Sequence, residues 1–176
     1  QVDLAAKTAT DPNFWRPHVS TVTHVINAAG VLNAPANIYQ AVHIDAPAAL
    51  YRALPNTSRI LLISAVGIDT ANTAFARYRR DGEALALGHD ATVLRSGLVL
   101  GDTSYGGSSL ARGLAAFPRV TPVIGQGQQV FNPIHAADLA MITAHLLQHP
   151  PASGPHDIGG PEIITQSDML KAYRAW

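Results

Sequence analysis

Three short runs of apolar and β-branched residues each end in small ones. Val22, Val25 and Ile26 lead into Ala28-Ala29-Gly30, Arg59 to Ser64 (RILLIS) leads into Ala65-Val66-Gly67, and Ala91 to Leu94 opens the run TVLRSGLVLG. Runs of this kind read as strands buried in a parallel sheet, predicted here at 22–28, 59–64 and 91–96. Between the first two, Ile38, Ala41, Val42, Ala49, Leu50 and Leu54 recur near helical spacing until Pro55, and 71–87 is a second helix ended by Gly88. Pro47 inside the first predicts a kink, or a helix starting afresh near Asp45 with that residue as cap. Strand and helix alternating at about 30-residue spacing predict an α/β doubly wound sheet rather than a barrel or sandwich.

The flanks are less regular. Gln1 to Leu4 reads as the end of a strand, and Asp11-Pro12 as the cap and first residue of a short helix. After Gly101, residues 102–109 form a Gly/Ser-rich loop, a helix follows from Ser109 to Phe117, and short strands are expected at 121–124 and 129–134 around a Gly125-Gln126-Gly127 turn. Residues 135–149 are helical. Thr165 to Asp168 has capping-box spacing, with Asp in place of Glu, before a helix to Trp176. The chain thus divides into 1–100, which carries the sheet, and a smaller region, 101–176.

Composition narrows the function classes. Twelve basic residues balance twelve acidic ones, so no net field favours nucleic acid or an anionic membrane. Only 14% of residues are charged, against roughly 25% in ordinary domains, which implies that some surface is meant to be covered. Cysteine is absent, which removes disulfides, thiolate metal sites and Cys nucleophiles. No apolar run reaches the roughly 18 residues of a membrane span, and QVDLAAK lacks the regions of a signal peptide. A cytoplasmic protein is the expectation.

The small-residue exit at Ala28, Ala29 and Gly30 is the first candidate site, because open α/β sheets bind ligands in the crevice beyond the strand ends; close packing alone would also explain it. His145 and His149 share a helical face as in zinc proteases, but Leu146 stands where the general-base Glu would be, and a solvated surface pair fits as well. Ser108-Ser109 lacks the Gly-x-Ser-x-Gly elbow. No metal site is expected.

VINAAG at 25–30, LLISAVG at 61–67, a helix with Arg79 and Gly82-Glu83, VLRSGLVLG at 93–101 and NPIHAADLA at 132–140 together resemble the short-chain dehydrogenase/reductase superfamily. The order and spacing are similar to its extended and atypical branches, the epimerase/dehydratase-like proteins that include the nucleotide-binding accessory subunit of respiratory complex I. The resemblance implies a partial Rossmann-like sheet lacking its first two strands and the Gly-rich turn that cradles a pyrophosphate. The strand at 22–28 would then present an unpaired apolar edge, open to pairing with another chain, and the natural protein would be longer at this end.

The resemblance also implies a cofactor, NAD or NADP, in the complete protein. Asp3 and Leu4 match the Asp-apolar pair that meets the adenine ring, although Asp3 could equally cap a helix. Ala28, Ala29 and Gly30 match the turn beside the adenosine ribose, Ser64 stands on the second strand exit, and Ser96 to Val99, with Leu98, match the segment near the nicotinamide. Arg95 fits that segment or a structural ion pair. His135 and Asp138 fit a helix start or the edge of the substrate pocket, and 101–176 would be the substrate-side region. The family's Tyr, and the Lys four residues on, fall at Phe75 and Arg79, the strand-exit Ser falls at Val66, and the helical Asn of the relay falls at His43. Phe carries no exchangeable proton, while Arg79 could still grip ribose hydroxyls as a permanent cation. Tyr78, about 100° further round the helix, is the remaining phenol.

Three functions follow from this. The first is a nicotinamide-dinucleotide-binding protein, possible homo-oligomer, without the usual Tyr-Lys relay. The second is an active NAD(P)-dependent oxidoreductase or epimerase on a small molecule. The third is a scaffold that binds no nucleotide. The catalytic residues and the substrate are not readable.

Overall fold

A computed structural model describes residues 2–103, 107–152 and 154–175. The chain forms two compact units, one of residues 1–95 and 143–157, the other of 96–142 and 158–176.

In the first unit, a turn at Asp3 and a 3-10 turn (Lys7–Thr10) precede helix α1 (Pro12–Val19), strand β1 (His24–Asn27), and a helical run of three parts. These are α2 (Ala36–Gln40), a π-helical turn (Ala41–Asp45) and α3 (Ala46–Ala53). Strand β2 (Arg59–Ala65), helix α4 (Ala74–Leu87) and strand β3 (Thr92–Ser96) complete the alternation. Later in the chain, β7 (Pro155–Ile158) joins them in one parallel sheet of order β1-β2-β3-β7. β1 and β2 run parallel with Val25 opposite Ile60 and Ile26 opposite Leu61. Ile60, Leu62 and Val93 on the strands meet Tyr51 of α3 and Ala86 of α4 in the core of this unit.

Several expectations are corrected here. Val2 to Leu4 forms no strand: the Ala5 N–H donates to Asp3 Oδ1 (2.9 Å) and the Ala6 N–H to the Asp3 carbonyl (3.1 Å), so a local turn takes the backbone groups a ladder would need. Gln1 and Trp176 lie outside the described residues. β1 is shorter than 22–28 and is not buried, since it lies at the sheet edge and Ile26 is 51% exposed; among the described residues no strand pairs with its outer side, the bare edge the resemblance implied.

The long helix does not restart at Asp45. Asp45 keeps helical torsions, and its carboxylate accepts from the Gln40 side chain (2.9 Å) rather than capping. Instead the run widens by a π-turn just before Pro47, whose missing N–H leaves the His43 carbonyl without its usual partner. α4 packs at this carbonyl. A Cβ built on Gly82 would stand 2.8 Å from it, so glycine is required for the approach. α4 begins at Ala74, three residues later than expected, because Thr73 caps it by accepting from the Ala76 N–H (3.1 Å).

The second unit holds β4 (Val99–Leu100), α5 (Gly107–Ala115), β5 (Val130–Phe131), β6 (Ile134–His135), the head of α6 (Ala136–Gln148), β8 (Ile164–Thr165) and α7 (Gln166–Ala175). β4 pairs parallel with β6, and β5 antiparallel with β8. The single strand expected at 129–134 is therefore two, split at Asn132-Pro133, where proline has no N–H and Asn132 Nδ2 donates to the Gly160 and Glu162 carbonyls (2.7 and 2.8 Å). Residues 121–124 form no strand: the Ile124 N–H is taken by Gln166 Oε1 (2.8 Å) and its carbonyl by Gln129 Nε2 (2.9 Å). The 125–127 turn forms, with both glycines at positive φ. α5 starts at Gly107 and ends before Phe117. At the head of α7, Thr165 accepts from the Asp168 N–H (3.1 Å) but spends its own hydroxyl proton on the Asp168 carboxylate (2.7 Å), half of a capping box. No described helix is long and apolar enough to cross a membrane.

Gly82→Ala tests the helix approach. The added methyl would force α4 off the π-turn and lower stability by about 1–3 kcal/mol, read as a fall in Tm, while Gly113→Ala, whose Cβ meets nothing within 4 Å, leaves Tm unchanged or raises it.

Candidate functional site

The site candidates of the first unit gather at the carboxyl end of β1. Asn27 closes the strand, and its side chain does two jobs: Nδ2 donates to the Tyr51 hydroxyl (2.8 Å) and Oδ1 accepts from the Ala29 N–H (3.2 Å). The second bond bends the chain into the small-residue exit. Burial raises the Tyr51 pKa, with the Asn27 bond and the Arg79 charge opposing it. Sequence reading passed over Asn27, although an Asn directly before Ala-Ala-Gly at a strand end is a recognisable turn former.

Leu4, Ala28 and Ala29 come together, with Ile26, Pro47 and Leu50, around a cleft of about 160 Å³. Asp3 is exposed and caps its own turn. Trp15 closes one end of the cleft, held by its indole N–H to the Ala9 carbonyl (2.8 Å). The lining is mainly apolar and includes the small side chains of Ala28, Ala29 and Ala46.

On the other side of the exit stands Arg79. Its Nη1 donates to the Ala29 carbonyl (3.2 Å), and a Cβ on Gly30 would lie 3.1 Å from its Nη2 and 3.4 Å from His43 Cε1, so the bare backbone of Gly30 admits both side chains. Arg79 Nε is buried with no hydrogen-bond partner among the described residues. Burial pulls the Arg79 pKa below its ordinary value, opposed by the negative charge of Glu83. Phe75, one turn back, lies under the guanidinium at 5.8 Å. Its phenyl ring also meets His43 edge-on at 6.4 Å.

His43 is 4% exposed, and its Nε2 lies 3.4 Å from both the N–H and the carbonyl oxygen of Val31. Its ring stacks on Tyr39, which stacks in turn on Tyr78 at 5.3 Å. Tyr78 is thus packed toward α2. Burial, and then the Arg79 charge, lower the His43 pKa to about 4, so the imidazole is neutral at pH 7.

Ser64 is buried at 2% exposure on β2, one residue before the strand ends, and Val66 beyond it is 42% exposed. Arg95 is a structural ion-pair residue. Its guanidinium is bidentate to buried Glu83 (2.7–3.1 Å) and reaches Asp69 (2.5 and 3.0 Å), partners that raise its pKa. It ties β3 to α4 and to the loop after β2. Ser96 and Leu98 belong to the second unit, where Ser96 is buried and Leu98 packs against Ala111, Met169 and Leu170. His135 takes the Ala137 N–H on Nδ1 (3.2 Å), which places it at a helix start. His145 and His149 stack at 4.6 Å, and no group of three or more His, Asp or Glu residues is placed to hold a metal among the described residues.

His43 supplies a pH test. Its folded pKa lies below the unfolded value of 6.5, so the unfolded chain binds the extra proton and stability falls as pH drops from about 6.5 to about 4. The loss from this group is on the order of 3 kcal/mol at most. Chemical denaturation at pH 7 and pH 4.5 is expected to show a smaller pH-dependent loss in His43→Gln than in the wild type.

No family model matches the chain, and no curated protein matches it in sequence. Solved structures do. The chain is similar to dTDP-glucose 4,6-dehydratase from Bacillus anthracis in complex with NAD, with a TM-score of 0.77 at 13% identity over 95% of this chain and 61% of that one. It is similar to dTDP-4-dehydrorhamnose reductase from the same organism in complex with NADP, with a TM-score of 0.76 at 12% identity over 95% and 67%. It is also similar to a variant UDP-glucuronic acid 4-epimerase from Bacillus cereus in complex with UDP-4-deoxy-4-fluoro-glucuronic acid and NAD, with a TM-score of 0.74 at 14% identity over 99% and 63%. The chain spans about three fifths of the length of the first of these. At such identities the likeness is one of fold: this chain shares its α/β fold with these dehydratase, reductase and epimerase structures.

Proposed function

We propose that this chain is part of a nicotinamide-dinucleotide-binding protein of the short-chain dehydrogenase type in which Phe75 and Arg79 stand in place of the Tyr-Lys proton relay. The observation that carries it is the exit of β1, where Ala28 and Ala29 line a cleft and Gly30 lets Arg79 close on the backbone, its Nε buried and without a hydrogen-bond partner among the described residues. An orphaned buried donor costs roughly 1–3 kcal/mol. The residues present fit the adenosine side of a dinucleotide. Leu4, Ala28 and Ala29 would receive the adenine, and Arg79 would hold a ribose hydroxyl. When bound, the dinucleotide supplies hydride chemistry.

The proton side of such chemistry is what these residues do not supply. Phe75 has no proton to exchange, and Arg79 keeps its charge across the working pH range. His43 is neutral and engaged with Val31, while Tyr78 is packed on Tyr39. A nucleotide-binding structural or sensing role therefore fits better than turnover of an alcohol or ketone. Residues 101–176 would form the substrate-side region of the complete protein.

NADH and NADPH fluorescence titrated with the chain is expected to show saturable binding of one of them. Ala28→Trp, at an exposed position in the cleft, weakens it at least about tenfold, or 1.4 kcal/mol, with Tm unchanged. Absence of binding of both nucleotides by the complete protein returns the scaffold reading. Wild-type turnover of a panel of alcohols and ketones would overturn the loss of the relay, and Phe75→Tyr with Arg79→Lys is expected to be the variant that gains turnover.

A further inference from the structure

The second unit contains a cavity of about 360 Å³, within the roughly 300–1,000 Å³ of small-molecule sites. Leu100, Ile164, Met169 and Ala172 supply apolar lining, and Tyr173 an aromatic one. Charge is sparse and balanced. Arg112 and Asp102 contribute one of each sign, and the guanidinium already donates to the Gly101 carbonyl (2.8 Å) and the Asp102 carbonyl (3.3 Å) while lying 5.6 Å from the Tyr173 ring centre. The α7 cations Lys171 and Arg174 are not in the lining; Lys171 pairs with Asp168 (3.2 Å) and Arg174 donates to the Phe117 carbonyl (2.9 Å).

These features select a ligand class. A phosphate or carboxylate entering the cavity would meet the Asp102 charge and an arginine already engaged with main-chain carbonyls and an aromatic face, so it would lose hydration without matching recompense. An apolar body would gain from the walls formed by Leu100, Ile164, Met169, Ala172 and Tyr173. One polar contact is specified: because His135 Nδ1 accepts the Ala137 N–H, the donor of that imidazole is Nε2. We propose that this cavity binds a neutral, mainly apolar small molecule with one hydrogen-bonding oxygen, such as a ketone or alcohol, and not a nucleoside diphosphate. The proposal stands on the second unit alone and is independent of the dinucleotide reading.

The test uses the neutral dye N-phenyl-1-naphthylamine with the whole chain. Its fluorescence is expected to rise saturably, to fall on addition of 2-octanone or 1-octanol, and to be insensitive to octanoate and uridine diphosphate at the same concentrations. Ala172→Trp, at an exposed position of α7, would fill the cavity, weaken dye binding at least about tenfold and leave both Tm and the NADH titration as in the wild type. Displacement by uridine diphosphate as effective as by 2-octanone would overturn the proposal. So would dye affinity unchanged in Ala172→Trp, or no saturable dye binding. The NADH titration is read separately, so either proposal can fail without the other.

Discussion

The contact of α4 with the π-helical turn is the constraint on which the first unit depends. Pro47 cannot donate to the carbonyl one turn behind it, so the helix from Ala36 to Ala53 widens at residues 41–45 and presents the His43 carbonyl sideways. Only a residue without Cβ can approach that oxygen as closely as Gly82 does. This single approach sets the height of α4 against the sheet, and with it the positions of Phe75, Tyr78 and Arg79 one and two turns earlier. It also drives His43 into the space beside Gly30, where burial keeps the imidazole neutral.

A buried ion pair holds another face of the same helix, about 100° round from Gly82. Glu83 follows Gly82 in sequence and faces Arg95 on β3 instead of the π-turn, with Asp69 from the loop after β2 completing the cluster. Burying a carboxylate to 3% exposure is expensive unless its lone pairs are used, and here three guanidinium contacts use them. The geometry favours register over net stability. α4 is fixed between a backbone contact on one side and a charge contact on the other, so Arg79 has little freedom in where it meets Ala29.

The two units differ in chemistry. The exit of β1 combines small residues, a buried cation and aromatic rings, a surface suited to a flat, hydroxyl-bearing group. The cavity of the second unit carries one charge of each sign and is otherwise lined mainly by apolar side chains. A protein with both would use polar recognition for one ligand and exclusion of water for another.

Alternation of strand and helix, the small-residue exits, the capped start of α1 and the stop at Gly88 were legible in the sequence because each depends on local pattern and backbone chemistry. That Phe75 and Arg79 lie one turn apart on a single helix was legible too, since helical spacing alone sets it. Other features depended on tertiary structure. Val25 and Ile26 have the composition of a buried strand, yet β1 lies on the sheet edge, as the resemblance but not the composition implied, because burial depends on what lies beside a strand and not on what is in it. Residues 121–124 have strand propensity but surrender their backbone groups to Gln166 and Gln129, forty-two and five residues from Ile124. By itself the sequence determined which segments could form regular structure and which residue types reached the strand ends. Only the tertiary structure decided that Asn27 shapes the exit, that His43 is neutral and that Arg79 has a donor to spare, since each of these depends on desolvation by neighbours distant in the chain.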